Sequence, residues 1–294
     1  MSPSLKAQLQ IHFCVLLWGF TPILGKAISM PALALVWWRM LMVAAILLLV
    51  PRVWRGLLAL PRRLLATYAG IGVIVALHWF TFYAAIKLAN ASVAATCLAL
   101  APVFLALIEP VVAQRRPDLR ELVVGLAAVP GVALVAGGVP PGMLAGFAVG
   151  ALSALLVAVF GSFNKRYVER ADPVVVTAIE LGVGGASLTL LAPLFGGLSS
   201  LLHVPGARDA LLLAILVVCC TLTPFTIYLF ALRRLTAFAA QLAVNLEPLY
   251  AIILAALLFG EQRELGASFY AGAAILLASV LVHPWLAQRA RRRD

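Results

Sequence analysis

Long apolar runs alternate with short polar segments along the chain. Ten runs of about 18 to 25 residues are each long enough to cross a hydrocarbon core of about 30 Å as a helix. The runs are Leu9–Lys26, Leu33–Val50, Thr67–Ile86, Ala91–Ala113, Leu122–Val139, Met143–Phe163, Val174–Leu194, Ala210–Leu232, Leu235–Phe259 and Leu265–Leu286. Only 11% of the residues are charged and 64% are hydrophobic, against about 25% and 45–50% in soluble domains. The pattern predicts an all-α polytopic membrane protein with ten transmembrane helices and excludes water-soluble folds.

Lys and Arg residues are distributed unequally between the loops. Alternate loops place 17 of the 22 on one side and four on the other, while Arg39 falls inside a span. Since cytoplasmic loops are enriched in Lys and Arg, we predict a multi-pass protein of the cell inner membrane with both termini in the cytoplasm and membrane lipid around it. The basic residues lie in short loops without interleaved aromatic residues, so the net charge of +11 does not indicate binding to nucleic acid.

The two halves of the chain resemble each other. A cluster of Gly and Pro residues at positions 137–142 separates the first five predicted spans from the last five. A shift of 146 residues aligns Pro102 with Pro248 and Lys87 with Arg233. This similarity predicts an internal duplication.

We place the first five-helix repeat at residues 1–139 and the second at residues 140–294. Because five is an odd number, the second repeat must enter the membrane from the opposite side, and the two repeats are inverted. Inverted repeats build secondary transporters, whose substrate site lies near the midplane and which work by alternating access. The organisation of the chain therefore indicates transport.

Short motifs add a family resemblance that covers nearly the whole chain. They are Trp18-Gly19, Pro31, Arg39, Ala101-Pro102, Glu247-Pro248 and Gly260-Glu261. With these motifs the sequence resembles the drug/metabolite transporter superfamily, in its EamA-type branch. The resemblance implies two inverted five-helix bundles that export or exchange small metabolites. Gln114-Arg115 stands where the family often repeats Gly-Glu, which predicts that this turn is not equivalent in the two halves.

Polar residues within the spans are candidates for the site, because a charge at the centre of a helix costs about 2.5–3.5 kcal/mol on insertion scales. Gln241 and Asn245 share one helix face with Pro248, while Glu247 is turned away from Asn245. These two amides either contact substrate or bond neighbouring helices. Arg39 and Glu180 are each expected to anchor their own half through hydrogen bonds. Glu109 and Asn164 lie near the predicted cytoplasmic ends, where side chains can reach the headgroups.

Aromatic residues recur near the middle of several spans. On the third span, His78 with Phe82 and Trp79 with Tyr83 form two pairs at i, i+4 spacing on adjacent faces. Ring surfaces with hydrogen-bonding tips suit flat amphipathic ligands, although any one of these rings can instead face lipid. The residues that we predict to bind substrate are Trp18, His78, Trp79, Tyr83, Phe163, Tyr228, Gln241 and Asn245.

The leading hypothesis is a secondary transporter that exports small amphipathic metabolites across the inner membrane. Aromatic and other hydrophobic amino acids are the favoured substrates. This choice rests on the aromatic residues within the spans and on the resemblance to the aromatic amino-acid exporters of this branch. Efflux of cationic drugs or dyes is the alternative, and it would require an accessible carboxylate such as Glu247 or Glu180. One His with scattered carboxylates forms no catalytic constellation, so an intramembrane enzyme is disfavoured. We expect no catalytic residue, no metal and no cofactor.

Overall fold

The computed structural model of the chain describes residues 3–117, 119–195, 197–236, 240, 243–244 and 246–278. This part of the chain consists of α-helices with short 3₁₀ and π segments and contains no β-strand. The helices are α1 (Pro3–Gly19), α2 (Thr21–Ala27), α3 (Ala32–Leu48), α4 (Pro51–Ala59), α5 (Arg62–Leu88), α6 (Ala91–Leu98), α7 (Ala101–Ala113), α8 (Leu119–Gly138), α9 (Leu144–Tyr167), α10 (Pro173–Leu191), α11 (Ala207–Val217), α12 (Thr223–Leu232), α13 (Glu247–Phe259) and α14 (Ala267–Ala278).

Six of the described helical segments are long and apolar enough to cross a membrane. They are Leu5–Ala27, Arg62–Leu88, Ala91–Ala113, Pro141–Tyr167, Pro173–Phe195 and Ala207–Leu232. A seventh candidate joins α3 to α4 through a bend of 92°, and α13 and α14 are shorter apolar helices. The chain is therefore an all-α polytopic membrane protein, as the apolar pattern predicted, whereas the count of ten spans stays a prediction.

Proline accompanies a local interruption of the regular α-helix in four of the apolar runs. A helix starts anew one residue before Pro22, Pro102, Pro224 and Pro248. Proline tolerates this position because the first N–H groups of a helix have no partner within it. The breaks at Pro102 and Pro248 are 146 residues apart, the same shift that relates the two halves in the sequence. Each half therefore contains a broken helix at the same place.

The two halves pack against each other through helices with small residues. α5 of the first half contacts both α9 and α10 of the second, and α1 contacts α12 and α13. A Cβ atom on Gly72 of α5 would lie 2.4 Å from the carbonyl oxygen of Glu180 in α10. A Cβ on Gly184 would lie 2.7 Å from the carbonyl oxygen of Gly72. Glycine at both positions therefore permits the close approach of these two backbones.

Equivalent basic residues in the two halves donate hydrogen bonds to backbone carbonyl oxygens that follow another helix. Lys87 donates a hydrogen bond to the carbonyl oxygen of Ile28, which follows α2. Arg233, which the sequence aligns with Lys87, donates to the carbonyl oxygens of Val168 at 3.2 Å and Ala171 at 2.7 Å, both of which follow α9. Each contact joins segments that the charge distribution assigns to the same side of the membrane.

The Gly260-Glu261 motif of the second half forms hydrogen bonds with the first half. Gly260 ends α13 with φ +69°. The buried carboxylate of Glu261 then accepts bonds from Lys26 Nζ at 2.7 Å, from the backbone N–H groups of Ala91 and Ser92 at 3.1 and 2.8 Å, and from the Ser92 hydroxyl at 2.6 Å. An acidic side chain at the start of α6 also compensates the helix dipole.

The turn after α7 shares only its first residue's conformation with the turn after α13. Gln114 ends α7 in the same left-handed conformation as Gly260, with φ +54°. After this residue the two backbones differ, because Glu261–Arg263 form a 3₁₀ turn and residues 115–117 have no regular structure. The side chain that follows also differs, since Arg115 cannot accept the bonds that Glu261 accepts. Beyond its first residue the turn is therefore not equivalent in the two halves, as Gln114-Arg115 predicted.

Candidate functional site

A central cavity lies between the two halves, next to all four proline breaks. It offers about 80 Å³ in which the centre of a water molecule fits, several times the roughly 10–15 Å³ that one water requires. The residues that line it are Trp18, Thr21, Arg39, His78, Trp79, Phe82, Leu98, Val157, Phe160, Phe225, Tyr228, Val244 and Glu247. They come from both repeats, as expected for a site at the interface of inverted repeats.

Aromatic rings form most of the cavity wall. Trp18 of α1 packs on Tyr228 of α12, with ring centroids 5.4 Å apart. Trp79 meets Phe225 edge to face at 6.0 Å, and His78 contacts Phe160 at 5.3 Å. Such arrangements present both ring faces and ring edges to the cavity, so the wall suits a ligand with an apolar or aromatic group.

Arg39 places a guanidinium group on this wall and connects the two halves. Its Nε donates to the Thr221 hydroxyl at 2.6 Å, its Nη1 to the Tyr83 hydroxyl at 2.7 Å, and its Nη2 to the carbonyl oxygen of Cys220 at 3.2 Å. The guanidinium carbon lies 3.9 Å from the ring centroid of Trp79. Arg39 thus anchors its own half through Tyr83, as expected, and it also bonds the second half through Thr221 and Cys220.

The bond from Arg39 to Cys220 follows from the proline break before α12. Pro224 has no N–H group, so the carbonyl four residues earlier, that of Cys220, loses its usual helical donor. The guanidinium of Arg39 supplies a donor in its place. The carbonyls of Trp18, Leu98 and Val244 precede the other three prolines by four residues and lose their usual helical donors in the same way. All three residues line the cavity.

Glu247 is the acidic residue of the cavity wall. It is only 5% exposed and lies in the first turn of α13. Within the described part of the chain, its carboxylate has no hydrogen-bond or ion-pair partner. Glu247 and Val244 both line the cavity, whereas Asn245, from which Glu247 was expected to be turned away, lies outside the described residues. A continuous helical wheel does not apply here, because α13 starts only at Glu247 and Leu246 lies in a turn.

His78 is held by Ser153 of α9. Its Nδ1 lies 2.9 Å from the carbonyl oxygen of Ser153 and 2.8 Å from the Ser153 hydroxyl, which itself donates to the carbonyl oxygen of His78. Since a carbonyl oxygen only accepts, we assign the proton of the neutral ring to Nδ1. Nε2 is then an acceptor, so His78 presents a lone pair at this nitrogen.

The predicted site residues fall into three groups. Trp18, His78, Trp79 and Tyr228 line the cavity. Tyr83 is fully buried behind the wall, where it bonds Arg39, and Phe163 packs against the core without lining the cavity. Gln241 and Asn245 lie outside the described residues. Sequence reasoning did not include Arg39 and Glu247 among the binding residues, although the cost of a charge within a span was a signal for both.

Other polar residues within the spans are buried away from the cavity. Glu180 is fully buried in α10 and accepts a hydrogen bond from Asn164 Nδ2 at 3.3 Å. Glu109 is also buried, with one carboxylate oxygen 3.7 Å from Arg115. Asn164 and Glu109 therefore do not extend to the headgroups, contrary to the expectation from the sequence. Glu180 bonds within its own half, in line with the anchoring role expected for it.

Comparisons with known proteins agree with this architecture. The model of the EamA-like transporter family matches the chain twice, over residues 5–137 and residues 144–283. One solved structure, described only as a crystal structure of a protein, superposes with a TM-score of 0.69 over 97% of this chain and 98% of that chain. The two sequences are 19% identical, so the likeness concerns the fold alone. None of the curated proteins matches the sequence.

Proposed function

The chain belongs to the EamA-like transporter family, and from that premise we propose that it exports aromatic and other hydrophobic amino acids across the inner membrane. The coarser statement follows from the family itself: the protein is a multi-pass membrane transporter of the drug/metabolite type. In the finer statement, the substrate class rests on the cavity, and the direction rests on the resemblance to the aromatic amino-acid exporters of this branch. The transported molecule is small and amphipathic, and it is the partner for which the central site is built.

The observation that carries the proposal is the aromatic wall between the two halves. Trp18, Trp79, Phe225 and Tyr228 lie on that wall, and rings of this kind bury the apolar side chain of a ligand. Charged and hydrogen-bonding groups on the same wall suit the polar end of an amino acid. A site at the interface of two inverted repeats is reached alternately from the two sides when one repeat moves against the other.

Efflux of organic cations is the second candidate function, and Glu247 favours it. A buried carboxylate without a partner attracts a positively charged ligand, because charge pairing offsets the cost of its desolvation. Aromatic rings also stabilise cations that lie over their faces. The cavity therefore offers a carboxylate and aromatic ring faces to a cationic dye. The positive charge of Arg39 opposes the binding of such a ligand.

Uptake into proteoliposomes tests the proposed function. We expect purified protein to exchange labelled L-phenylalanine, measured with and without a pH gradient to detect proton coupling. The cavity-filling variant Val157→Trp should abolish exchange, because Val157 lines the cavity. The matched variant Leu152→Trp, at a surface-exposed position of the same helix, should retain it. Inhibition by organic cations with none by phenylalanine would replace the proposal with cation efflux.

A further inference from the structure

We propose that the cavity recognises a zwitterion, with Arg39 receiving the carboxylate and Glu247 receiving the ammonium group. The inference rests on the proposed function, since it concerns the same cavity and assigns the charge recognition within it. It also goes further, because it names the two side chains that distinguish an amino acid from a singly charged molecule with the same apolar group.

Glu247 supplies the position for the ammonium group. Its side chain is 95% buried and lies on the cavity wall, and no described residue bonds its carboxylate. An ionised carboxylate without a partner is costly in a medium of low dielectric constant. An ammonium group placed in the cavity supplies three N–H donors. His78 Nε2, an acceptor in the assigned tautomer, adds a second group on this wall that accepts a hydrogen bond.

Arg39 supplies the position for the carboxylate. A guanidinium group has five N–H donors, of which three bond Thr221, Tyr83 and Cys220, so two remain, one on each terminal nitrogen. Arg39 lines the cavity, and the stacked ring of Trp79 fixes the plane of its guanidinium group. An oriented guanidinium group is suited to a carboxylate, which accepts charge-assisted hydrogen bonds from it.

The two charged groups do not neutralise each other directly. Arg39 and Glu247 are both on the cavity wall and attract each other across it, but their nitrogen and oxygen atoms do not approach within the 4.0 Å of an ion pair. A cationic ligand would compensate Glu247 and leave Arg39 facing a positive charge. An anionic ligand would do the reverse. A zwitterion compensates both, so it is the one charge type that places an opposite charge beside each of the two buried groups.

Two series of ligands that differ only in charge test this inference. The first is L-phenylalanine, phenethylamine and 3-phenylpropionate; the second is L-leucine, isopentylamine and 4-methylpentanoate. Their binding is measured by the thermal stabilisation of the purified wild-type protein and of its variants. We expect the wild type to bind a zwitterion at least tenfold more tightly than the amine or the acid of the same series.

The variants should change this order in opposite directions. In Arg39→Gln the amine should bind at least as tightly as the amino acid. In Glu247→Gln the acid should bind at least as tightly as the amino acid. Arg39→Lys retains the positive charge and should still prefer the amino acid to the amine. If Arg39→Gln does not fold, Arg39→Lys and Glu247→Gln remain decisive. The matched control Glu180→Gln, a buried carboxylate away from the cavity, should keep the wild-type order.

The outcomes separate this inference from the proposed function. If the leucine series shows the zwitterion preference and no phenylalanine analogue binds, the inference stands and the aromatic substrate class is wrong. If L-phenylalanine is transported but the amine or the acid binds as tightly, the inference is overturned and the proposed function stands. An unchanged order in Glu247→Gln, or no binding by a zwitterion of either series, also overturns the inference.

Discussion

At the residue scale, Arg39 is the side chain on which the interactions around the cavity converge. It is only 2% exposed and receives contacts from α5 and from the segment between α11 and α12. A charge at this depth costs about 2.5–3.5 kcal/mol on insertion scales, which three hydrogen bonds and the ring of Trp79 offset. Residues that hold Arg39 should therefore influence ligand binding without touching the ligand.

Tyr83 is such a positioning residue. Tyr83→Phe removes the hydroxyl that accepts from Arg39 Nη1 at 2.7 Å, and hydrogen bonds to charged groups contribute about 1.5–3 kcal/mol. We expect the affinity for L-phenylalanine to fall about tenfold or more, while that for phenethylamine changes little. Ligand-induced thermal stabilisation measures both values. An equal loss for the two ligands would show that Tyr83 acts through general packing rather than through Arg39.

Trp79 both packs and lines the cavity. Trp79→Ala should lower transport and also lower the free energy of unfolding by about 3–5 kcal/mol, because the ring contacts Arg39 and Phe225. Trp79→Phe should keep most of the stability and change the ranking of amino-acid side chains in a competition assay. Phe163→Ala is the control, since Phe163 lies off the cavity wall. A changed ranking in that control would contradict the assigned lining.

The residues of the candidate site differed in how well they could be predicted. The pairs of rings on α5 followed from i, i+4 spacing, which a straight helix preserves. The role of Arg39 did not follow, because its partners Thr221 and Cys220 are about 180 positions away along the chain and meet it only through tertiary packing. The tautomer of His78 did not follow either, since Ser153 of another helix determines which ring nitrogen carries the proton.

At the element scale, the broken helices determine where the cavity lies. The apolar runs predicted the presence of membrane helices well, because hydropathy over about 20 residues depends little on tertiary contacts. The interruptions at Pro22, Pro102 and Pro224 were not predicted, although these prolines were visible in the sequence. Proline within a membrane helix is compatible with either a kink or a restart, and the sequence does not separate the two. The helical wheel that turned Glu247 away from Asn245 assumed an unbroken helix, whereas α13 begins at Glu247.

The segment after α13 contributes a testable contact between the halves. Glu261→Ala removes the acceptor for Lys26 and for the first N–H groups of α6. Loss of one partner from a buried, charged network costs about 3–5 kcal/mol, and thermal unfolding of the purified protein measures it. Glu264→Ala, which removes one bond from Asn90 Nδ2 at 2.9 Å, should cost only about 1 kcal/mol. Equal losses in the two variants would contradict the special role of Glu261.

At the scale of the whole molecule, the charge distribution predicts the orientation in the membrane. A cysteine introduced at the exposed Arg116 should be shielded from an impermeant thiol reagent in intact cells, because this loop is predicted to be cytoplasmic. One at the exposed Leu202 should react. The unsubstituted protein serves as the control for its own cysteines. Labelling at Arg116→Cys without labelling at Leu202→Cys would reverse the predicted orientation.

The central claim is that the cavity between the halves is the substrate site, and substrate protection of a cysteine tests it most directly. In Val157→Cys, a thiol reagent should block the exchange of L-phenylalanine, and an excess of L-phenylalanine should slow this block. In Leu152→Cys, at a surface-exposed position of the same helix, the reagent should leave exchange unchanged. Block of Val157→Cys at the same rate with and without L-phenylalanine, or exchange that continues after full modification, would contradict the claim.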